Sequence, residues 1–191
     1  HHCKLWSLRE NFDTSTAAGE MMLYSIANFS QYERKQTAER VSANFKARAS
    51  RGLYNGGTMP LGYEANPEKS GHLKIHDEEA KIVRAAFFAM LKVGSLSGAA
   101  KWLNQNGFSL SAPYRGGGDN IKRPRQKAFC VGSLTYLLKN KAYIGIRCYR
   151  EKGGKILESK AAWPAIIDPG TFKMVQSAIE GSKKRKLESE K

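Results

Sequence analysis

The chain is poor in cysteine and histidine and lacks the sequence patterns of common hydrolases and metalloenzymes. Its three cysteines include no CxxC pair, which excludes a disulfide framework and favours a reducing compartment, the cytoplasm. We interpret Cys3, Cys130 and Cys148 as small buried apolar groups. HExxH, GxSxG and P-loop patterns do not occur, and His72 and His76 fall in a predicted strand or loop. We therefore predict no metal and no cofactor.

Long apolar runs are also lacking. No stretch is long enough to span a bilayer, and no charged start leads into an apolar segment, so neither a membrane span nor a secretory signal is predicted. The 191 residues nevertheless include 41% hydrophobic and 10% aromatic side chains. That is enough apolar material for one or two small packed domains, and it excludes a wholly disordered chain.

Charge is plentiful and is unevenly placed. Residues 101–191 hold 19 basic and 7 acidic side chains, against 13 and 10 in residues 1–100, within a formal net charge of +15. Such a field attracts polyanions. Nucleic acid is the first candidate partner, an anionic membrane is the second, and a soluble protein with a basic tail is the alternative.

A stretch without proline, residues 17–51, predicts one long helix. Capping residues precede it at 13–16, and Gly52 supplies a C-terminal stop. A helix of ~35 residues is roughly 50 Å long. Its first half is apolar over much of its circumference, so we expect a partner subunit to bury it. The second half carries Arg40, Arg48 and Arg51, and we place a domain boundary near Leu53.

Three shorter helices are predicted after a loop over residues 52–72. Asp77 and Ser95 are the expected N-caps of the first two, and the third covers residues 132–140. The remaining predicted elements are strands at 143–149 and 165–167, a turn at 152–155 with a return strand from Ile156, a helix from Asp168–Pro169 and a solvated tail from Ser182. The predicted fold class is α+β, mainly α, with a small β-sheet.

The second and third short helices resemble a helix-turn-helix with a long insert, and a plain three-helix core is the alternative. In the first interpretation the third helix presents four side chains to a DNA groove: Ser133, Thr135, Tyr136 and Lys139. A flexible basic insert can follow a phosphate backbone or enter a minor groove, and an ordinary solvated loop is its alternative. The basic residues of this insert are Arg115, Lys122, Arg123, Arg125 and Lys127.

Several short motifs, taken together, resemble the large serine site-specific recombinases of the resolvase/invertase superfamily, which include phage integrases and transposon recombinases. The motifs follow the family's order along nearly the whole chain. They are DTSTAAG at 13–19, QYER at 31–34, ER at 39–40, PLGY at 60–63, WLNQNG at 102–107, LKNKAYIG at 138–145 and WPAIID at 163–168.

The resemblance implies a domain organisation and a mechanism. Residues 1–52 correspond to the last strand and long helix of a catalytic domain, 53–181 to a recombinase DNA-binding domain, and 182–191 to a basic tail before a zinc ribbon. The family's nucleophilic serine belongs before residue 1, so this fragment is expected to be inactive alone. In the family that serine attacks a DNA phosphate to form a phosphoserine link, and the subunits of a tetramer exchange broken ends without ATP or a catalytic metal.

The resemblance also suggests roles for individual residues. Glu33 and Arg34 match a pair that supports the active site and dimer contacts, and Arg40 should lie near the cleaved backbone. We expect residues 51–63 to run along the duplex. The full set of predicted DNA contacts is Arg40, Arg48, Arg51, Thr58, Tyr63, Arg115, Lys122, Arg123, Arg125, Lys127, Ser133, Thr135, Tyr136, Lys139 and Arg147. The expected partners are a double-stranded attachment site and, in the full-length protein, further copies of the chain.

Two other functions are compatible with the charge and the helices. A helix-turn-helix transcriptional regulator that dimerises through the long helix explains both, but it does not explain the ER pair beside the DTST turn. A basic RNA-binding protein should show exposed aromatic stacking platforms, for which Tyr114 and Tyr149 are poor evidence.

Overall fold

The computed structural model describes residues 4–7, 12–110, 127–151 and 154–189. They form two compact units that divide between Ala47 and Arg48. The division precedes the sequence-based boundary near Leu53 because the last turn of the long helix packs on the second unit. There the Ser159 hydroxyl donates a hydrogen bond of 2.7 Å to the Ala49 carbonyl oxygen.

The first unit is a short hairpin followed by most of the long helix. Strands β1 (Trp6–Ser7) and β2 (Phe12–Asp13) pair antiparallel, and α1 spans Ala17–Ser50. The Thr16 hydroxyl accepts a hydrogen bond of 3.1 Å from the Gly19 amide and so caps the helix. A Cβ at Gly19 would lie 1.8 Å from the Asp13 carbonyl oxygen, which explains the glycine of this motif. The long helix is confirmed.

Among its described residues, the second unit contains four α-helices after α1, one 3₁₀ helix and two hairpins. Its elements, in chain order after α1, are β3 (Tyr63–Ala65), β4 (Leu73–Ile75), α2 (Asp77–Val93), α3 (Leu96–Gln105), α4 (Val131–Leu138), a 3₁₀ helix (Lys141–Ile144), β5 (Ile146–Arg150), β6 (Ile156–Lys160) and α5 (Pro169–Ser189). β3 pairs antiparallel with β4, and β5 with β6. The α+β, mainly α class is confirmed.

The apolar core lies among the four helices. Its fully buried members include Val83, Phe87, Met90, Leu103, Leu134, Leu138, Val175 and Ile179. Aromatic rings extend this core towards the hairpins. Tyr63 stacks on Tyr143 with ring centroids 6.2 Å apart, and Phe87 meets Tyr143 edge to face at 6.2 Å. The core therefore ties β3 to α2 and to the segment after α4.

The helix signals of this unit are mostly confirmed. Ser95 caps α3, Gly94 ends α2 with φ of 70°, and Asp168 caps α5. The first cap was misassigned: the N-cap of α2 is His76, whose Nδ1 accepts from the Glu79 amide at 3.3 Å, and Asp77 is the first helical residue. An imidazole in this role was not anticipated because helix caps are usually short oxygen-bearing side chains.

Four other expectations need correction. Residues 63–65 form a strand within the predicted loop. Residues 141–144 form a 3₁₀ helix, so the strand expected from 143 begins at Ile146. Residues 165–167 are not a strand, because the Ile166 and Ile167 amides both donate to the Tyr143 carbonyl oxygen and so make no sheet ladder. The backbone of α5 continues past Ser182 to Ser189.

The ends of the basic insert are held together. The Leu110 amide donates a hydrogen bond of 2.8 Å to the Lys127 carbonyl oxygen. The Asn104 side chain brackets the Phe129 backbone, since its oxygen accepts from the Phe129 amide at 2.8 Å and its nitrogen donates to the Phe129 carbonyl at 2.9 Å. The chain thus leaves α3 and returns to α4 at neighbouring points, and residues 111–126 lie outside the described ranges.

Candidate nucleic-acid interface

Helix α4 buries one face in the core and leaves the other face polar and accessible. Leu134, Leu137 and Leu138 are buried, which leaves Gly132, Thr135, Tyr136 and Lys139 on the opposite face at helical spacing. Tyr136 is 79% exposed. The far end of the helix is held by α5, where the Gln176 amide nitrogen donates a hydrogen bond of 2.7 Å to the Leu138 carbonyl oxygen. The face is therefore fixed in orientation by the core.

The N-terminus of α4 is capped by a pair that includes one predicted contact residue. The Ser133 hydroxyl accepts from the Cys130 amide at 3.0 Å and donates to the Cys130 carbonyl oxygen at 2.9 Å. Because these bonds occupy its hydroxyl, Ser133 acts here as a capping group. Cys130 is exposed, so the prediction that it is buried was wrong, and hydrogen bonds from Ser133 lower the pKa of its thiol.

A groove of about 990 Å³ runs along the polar face of α4. Its other walls are the 54–60 loop, the 3₁₀ helix and the β5–β6 hairpin. Five of the residues predicted to contact DNA line it: Thr58, Thr135, Tyr136, Lys139 and Arg147. The structure thus brings together residues that are up to about ninety positions apart in the sequence.

The groove is rich in positive charge. Its described lining includes Lys139, Lys141, Arg147 and Arg150, with Glu158 as the one acidic residue among them. Lys141 Nζ lies 2.6 Å from the Glu158 carboxylate, and this hydrogen bond raises the pKa of the lysine. Such a surface favours an anionic ligand.

Arg147 lies at the junction between the hairpin and the 54–60 loop. Its Nε is buried and has no hydrogen-bond partner among the residues that the structure describes. Burial raises the pKa of Tyr54, and the positive charge of Arg147 acts in the opposite direction, which indicates that the two side chains are near each other. Arg147 as a whole is half-buried and lines the groove, so its positive charge acts on a ligand there although Nε itself is closed off from solvent.

The 54–60 loop is positioned by Arg48. The guanidinium donates to the Asn55 side-chain oxygen at 3.2 Å and to the Tyr54 carbonyl oxygen at 3.2 Å. The Tyr54 hydroxyl donates in turn to the Gly57 carbonyl oxygen at 2.7 Å. The half-buried side chain of Arg48, which is one of the predicted DNA contacts, holds the loop that carries Thr58.

One predicted contact is corrected by the structure. Tyr63 is only 1% exposed, and its hydroxyl donates to the carbonyl oxygens of Ala142 and Pro164 at 3.1 and 2.9 Å. A buried ring with its hydroxyl occupied has no surface to offer a duplex. The PxGY motif at this position is explained by packing.

The remaining predicted residues are distributed over both units. Arg51 and Lys127 are exposed in the second unit, and Glu33, Arg34 and Arg40 are exposed on α1 in the first. Arg115, Lys122, Arg123 and Arg125 lie outside the described residues. Three charged lining residues were not among the predicted contacts: Lys141, Arg150 and Glu158. Glu158 could have been found from the sequence, because side chains along the predicted return strand from Ile156 point alternately to its two faces.

The described residues contain neither a membrane-spanning helix nor a cluster of metal ligands. In the part of the chain that the structure describes, no helix is both long enough and apolar enough to cross a bilayer. Within the same ranges, His, Cys, Asp and Glu side chains do not gather in threes that would hold a metal ion.

Comparisons with known proteins agree with the order of the motifs. Residues 77–182 match the family model described as Recombinase, and residues 1–54 match the one described as Resolvase, N terminal domain. A comparison with curated proteins finds no match.

Two solved structures share the fold at 23% sequence identity over 73% of this chain. One is the crystal structure of an LSR–DNA complex, with a TM-score of 0.55 and 37% of that chain covered. The other comes from work on the sequence requirements of the Listeria innocua prophage attP site, with a TM-score of 0.54 and 50% covered. This chain therefore spans half or less of the length of these two proteins.

Proposed function

The chain belongs to the Recombinase family, within the large serine recombinases, and from this we propose that its second unit binds duplex DNA through the α4 groove. The observation that carries the proposal is the groove itself, where the polar face of α4 and four basic side chains share one concave surface. A polar helix face beside a basic 3₁₀ helix and a basic hairpin suits a base edge flanked by phosphates.

Within this proposal the side chains divide into two roles. On α4, Tyr136 and the methyl group of Thr135 contact base edges, while the Thr135 hydroxyl donates a hydrogen bond of 2.7 Å to the Val131 carbonyl oxygen. Lys139, Arg147 and Arg150 neutralise phosphates along the walls. Arg51, Lys127 and the insert residues Arg115, Lys122, Arg123 and Arg125 add backbone contacts. Phosphate contacts supply affinity at any sequence, and base contacts supply the preference for one site.

The proposal for the longer protein is site-specific DNA strand exchange through a phosphoserine intermediate. Residues 1–52 contribute the last strand and long helix of its catalytic domain, where Glu33 and Arg34 support the active site and Arg40 lies near the cleaved backbone. The exposed apolar side chains of α1, which include Met21, Met22 and Phe29, contact further copies of the chain in a dimer or tetramer. Residues 182–191 lead towards the zinc ribbon. This chain alone binds without cutting.

DNA binding is tested by fluorescence anisotropy on a labelled random duplex pool of about 30 base pairs, titrated with salt. We expect a log–log slope steeper than about −4, which corresponds to several neutralised phosphates. Lys139→Ala should make the slope shallower by about 0.9. Lys173→Ala removes an exposed lysine of α5 that does not line the groove, and it should leave the slope unchanged.

The base-reading role is tested by selecting preferred duplexes from the same pool. Replacement of Thr135 or Tyr136 by Ala should change the selected sequence more than it changes the affinity for the pool. Absence of salt-dependent binding by the unmodified chain would contradict the proposal. The chain should leave supercoiled plasmid uncut, while the longer protein should yield DNA joined covalently to serine.

A further inference from the structure

Glu158 stands out in a groove that is otherwise positive. It is the single acid among the described lining residues, beside Lys139, Lys141, Arg147 and Arg150. It lies on β6 directly across from Cys148 on β5, and its side chain is 43% exposed. A ligand that binds the basic residues of this groove would therefore also meet the carboxylate.

The carboxylate is held against one of those basic groups. Lys141 Nζ donates a hydrogen bond of 2.6 Å to Glu158, and the lysine is itself 43% exposed. The pair joins the 3₁₀ helix to β6. While this bond is kept, Lys141 contributes little to neutralising phosphates because its charge is already balanced.

We propose that Glu158 is a specificity-determining residue: it lowers the affinity of the groove for arbitrary duplex DNA and accepts a hydrogen bond from a base amino group at the preferred site. The proposal deepens the DNA-binding function above and rests on it. A carboxylate near phosphates is repelled at every sequence, and that cost is the same for all non-preferred duplexes.

The cost is offset where a base presents a donor to the carboxylate. In the major groove the donors are the exocyclic amino groups, N4 of cytosine and N6 of adenine, and Glu pairs best with cytosine. Guanine and thymine present acceptors at the corresponding edge, which a carboxylate repels. Glu158 therefore favours a cytosine in the base step that it faces.

Glu158→Gln tests this, because glutamine keeps the shape while removing the charge. We expect tighter binding to the random pool, by about threefold or more at about 0.1 M salt, and a salt slope steeper by about 0.9 because Lys141 is released. Duplexes selected by the variant should lose a cytosine preference at one position. The ratio of preferred to random affinity should fall.

Glu64→Gln is the matched control. Glu64 holds Lys74 Nζ at 2.9 Å across the β3–β4 hairpin, and neither residue lines the groove. Both variants raise the net charge by one and break one Glu–Lys pair. Glu64→Gln should bind the pool like the unmodified chain. Equal gains in the two variants would overturn the proposal, since net charge alone would then explain them.

The role of Lys141 is separated by the double variant Glu158→Gln with Lys141→Gln. Its salt slope should return to that of the unmodified chain, and a slope still steeper by about 0.9 would contradict the release of Lys141. An unchanged base preference in Glu158→Gln would overturn the reading role. If the unmodified chain shows no salt-dependent binding, the DNA-binding function itself fails, which is a different result from either of these.

Discussion

The Tyr63 hydroxyl donates a buried hydrogen bond of 3.1 Å to the Ala142 carbonyl oxygen and so joins β3 to the segment that leaves α4. The same carbonyl accepts from Trp163 Nε1 at 3.2 Å. Three parts of the chain thus meet on one backbone oxygen beneath the groove, directly beside Lys141. The geometry of the groove wall depends on this buried junction.

Tyr63→Phe should destabilise the second unit while leaving DNA affinity intact in the folded protein. The Pro164 carbonyl loses the hydrogen bond of 2.9 Å from Tyr63, and we expect a loss of about 1–2 kcal/mol in the free energy of unfolding. Urea denaturation measures this. Tyr136→Phe is the control, since Tyr136 is 79% exposed and its change should leave stability unaltered. A loss of affinity for the random pool in Tyr63→Phe would argue for a direct contact.

Arg147→Ala should separate binding from stability. The variant loses one phosphate-binding cation, so the salt slope should become shallower by about 0.9. Its melting temperature should hold or rise, because the Nε that is removed is buried without a partner among the described residues. Arg147→Lys keeps the charge but loses the planar guanidinium. Its salt slope should therefore equal that of the unmodified chain, while its affinity for DNA should stay lower.

Arg84→Ala is the control for that experiment. Arg84 is exposed on α2 and does not line the groove, so both the slope and the melting temperature should stay unchanged. A fall in melting temperature in Arg147→Ala would show that the guanidinium stabilises the hairpin instead.

Gly52→Ala should strongly destabilise the junction at the end of α1. Gly52 has a φ of +75°, and an added Cβ would lie 1.9 Å from the Lys160 carbonyl oxygen, which is backbone and cannot move aside cheaply. We expect a loss of about 3 kcal/mol or more. Gly107→Ala has a similar φ of +78° but open space, so it should cost only about 1–2 kcal/mol. Comparable losses in the two variants would exclude a steric cause.

The cap of α5 should give a pH-dependent contribution to stability. Hydrogen bonds from the Thr171 amide and hydroxyl, both 2.7 Å, hold the pKa of Asp168 below its ordinary value of 3.8. Since the folded state lowers this pKa, the contribution is present above the ordinary value and is lost as the pH falls through the folded value.

The difference in unfolding midpoint between the unmodified chain and Asp168→Ala should therefore shrink between about pH 6 and about pH 3. Glu180→Ala, an exposed acid on the same helix, controls for the loss of a charge. A difference that stays constant over this range would exclude the carboxylate as the capping group.

Local sequence signals were enough to predict most of the helices and where they end. Capping residues, glycine stops and the lack of proline predicted α1 within a residue at each end, as well as the cap of α3 and the start of α5. These signals are local because a helix end needs only the hydrogen bonds of a few neighbouring residues. The ordered motifs were likewise enough to identify the family.

Which of the polar and aromatic residues line the groove depends on long-range packing and could not be predicted from local patterns. Tyr63 and Tyr136 are the same residue type, yet one is buried under the 3₁₀ helix and the other lies open on α4. Lys141 and Glu158 meet because the hairpin folds back beside the end of α4, a contact between residues 17 positions apart that no local pattern encodes. Burial and pairing depend on long-range packing, which sequence periodicity does not specify.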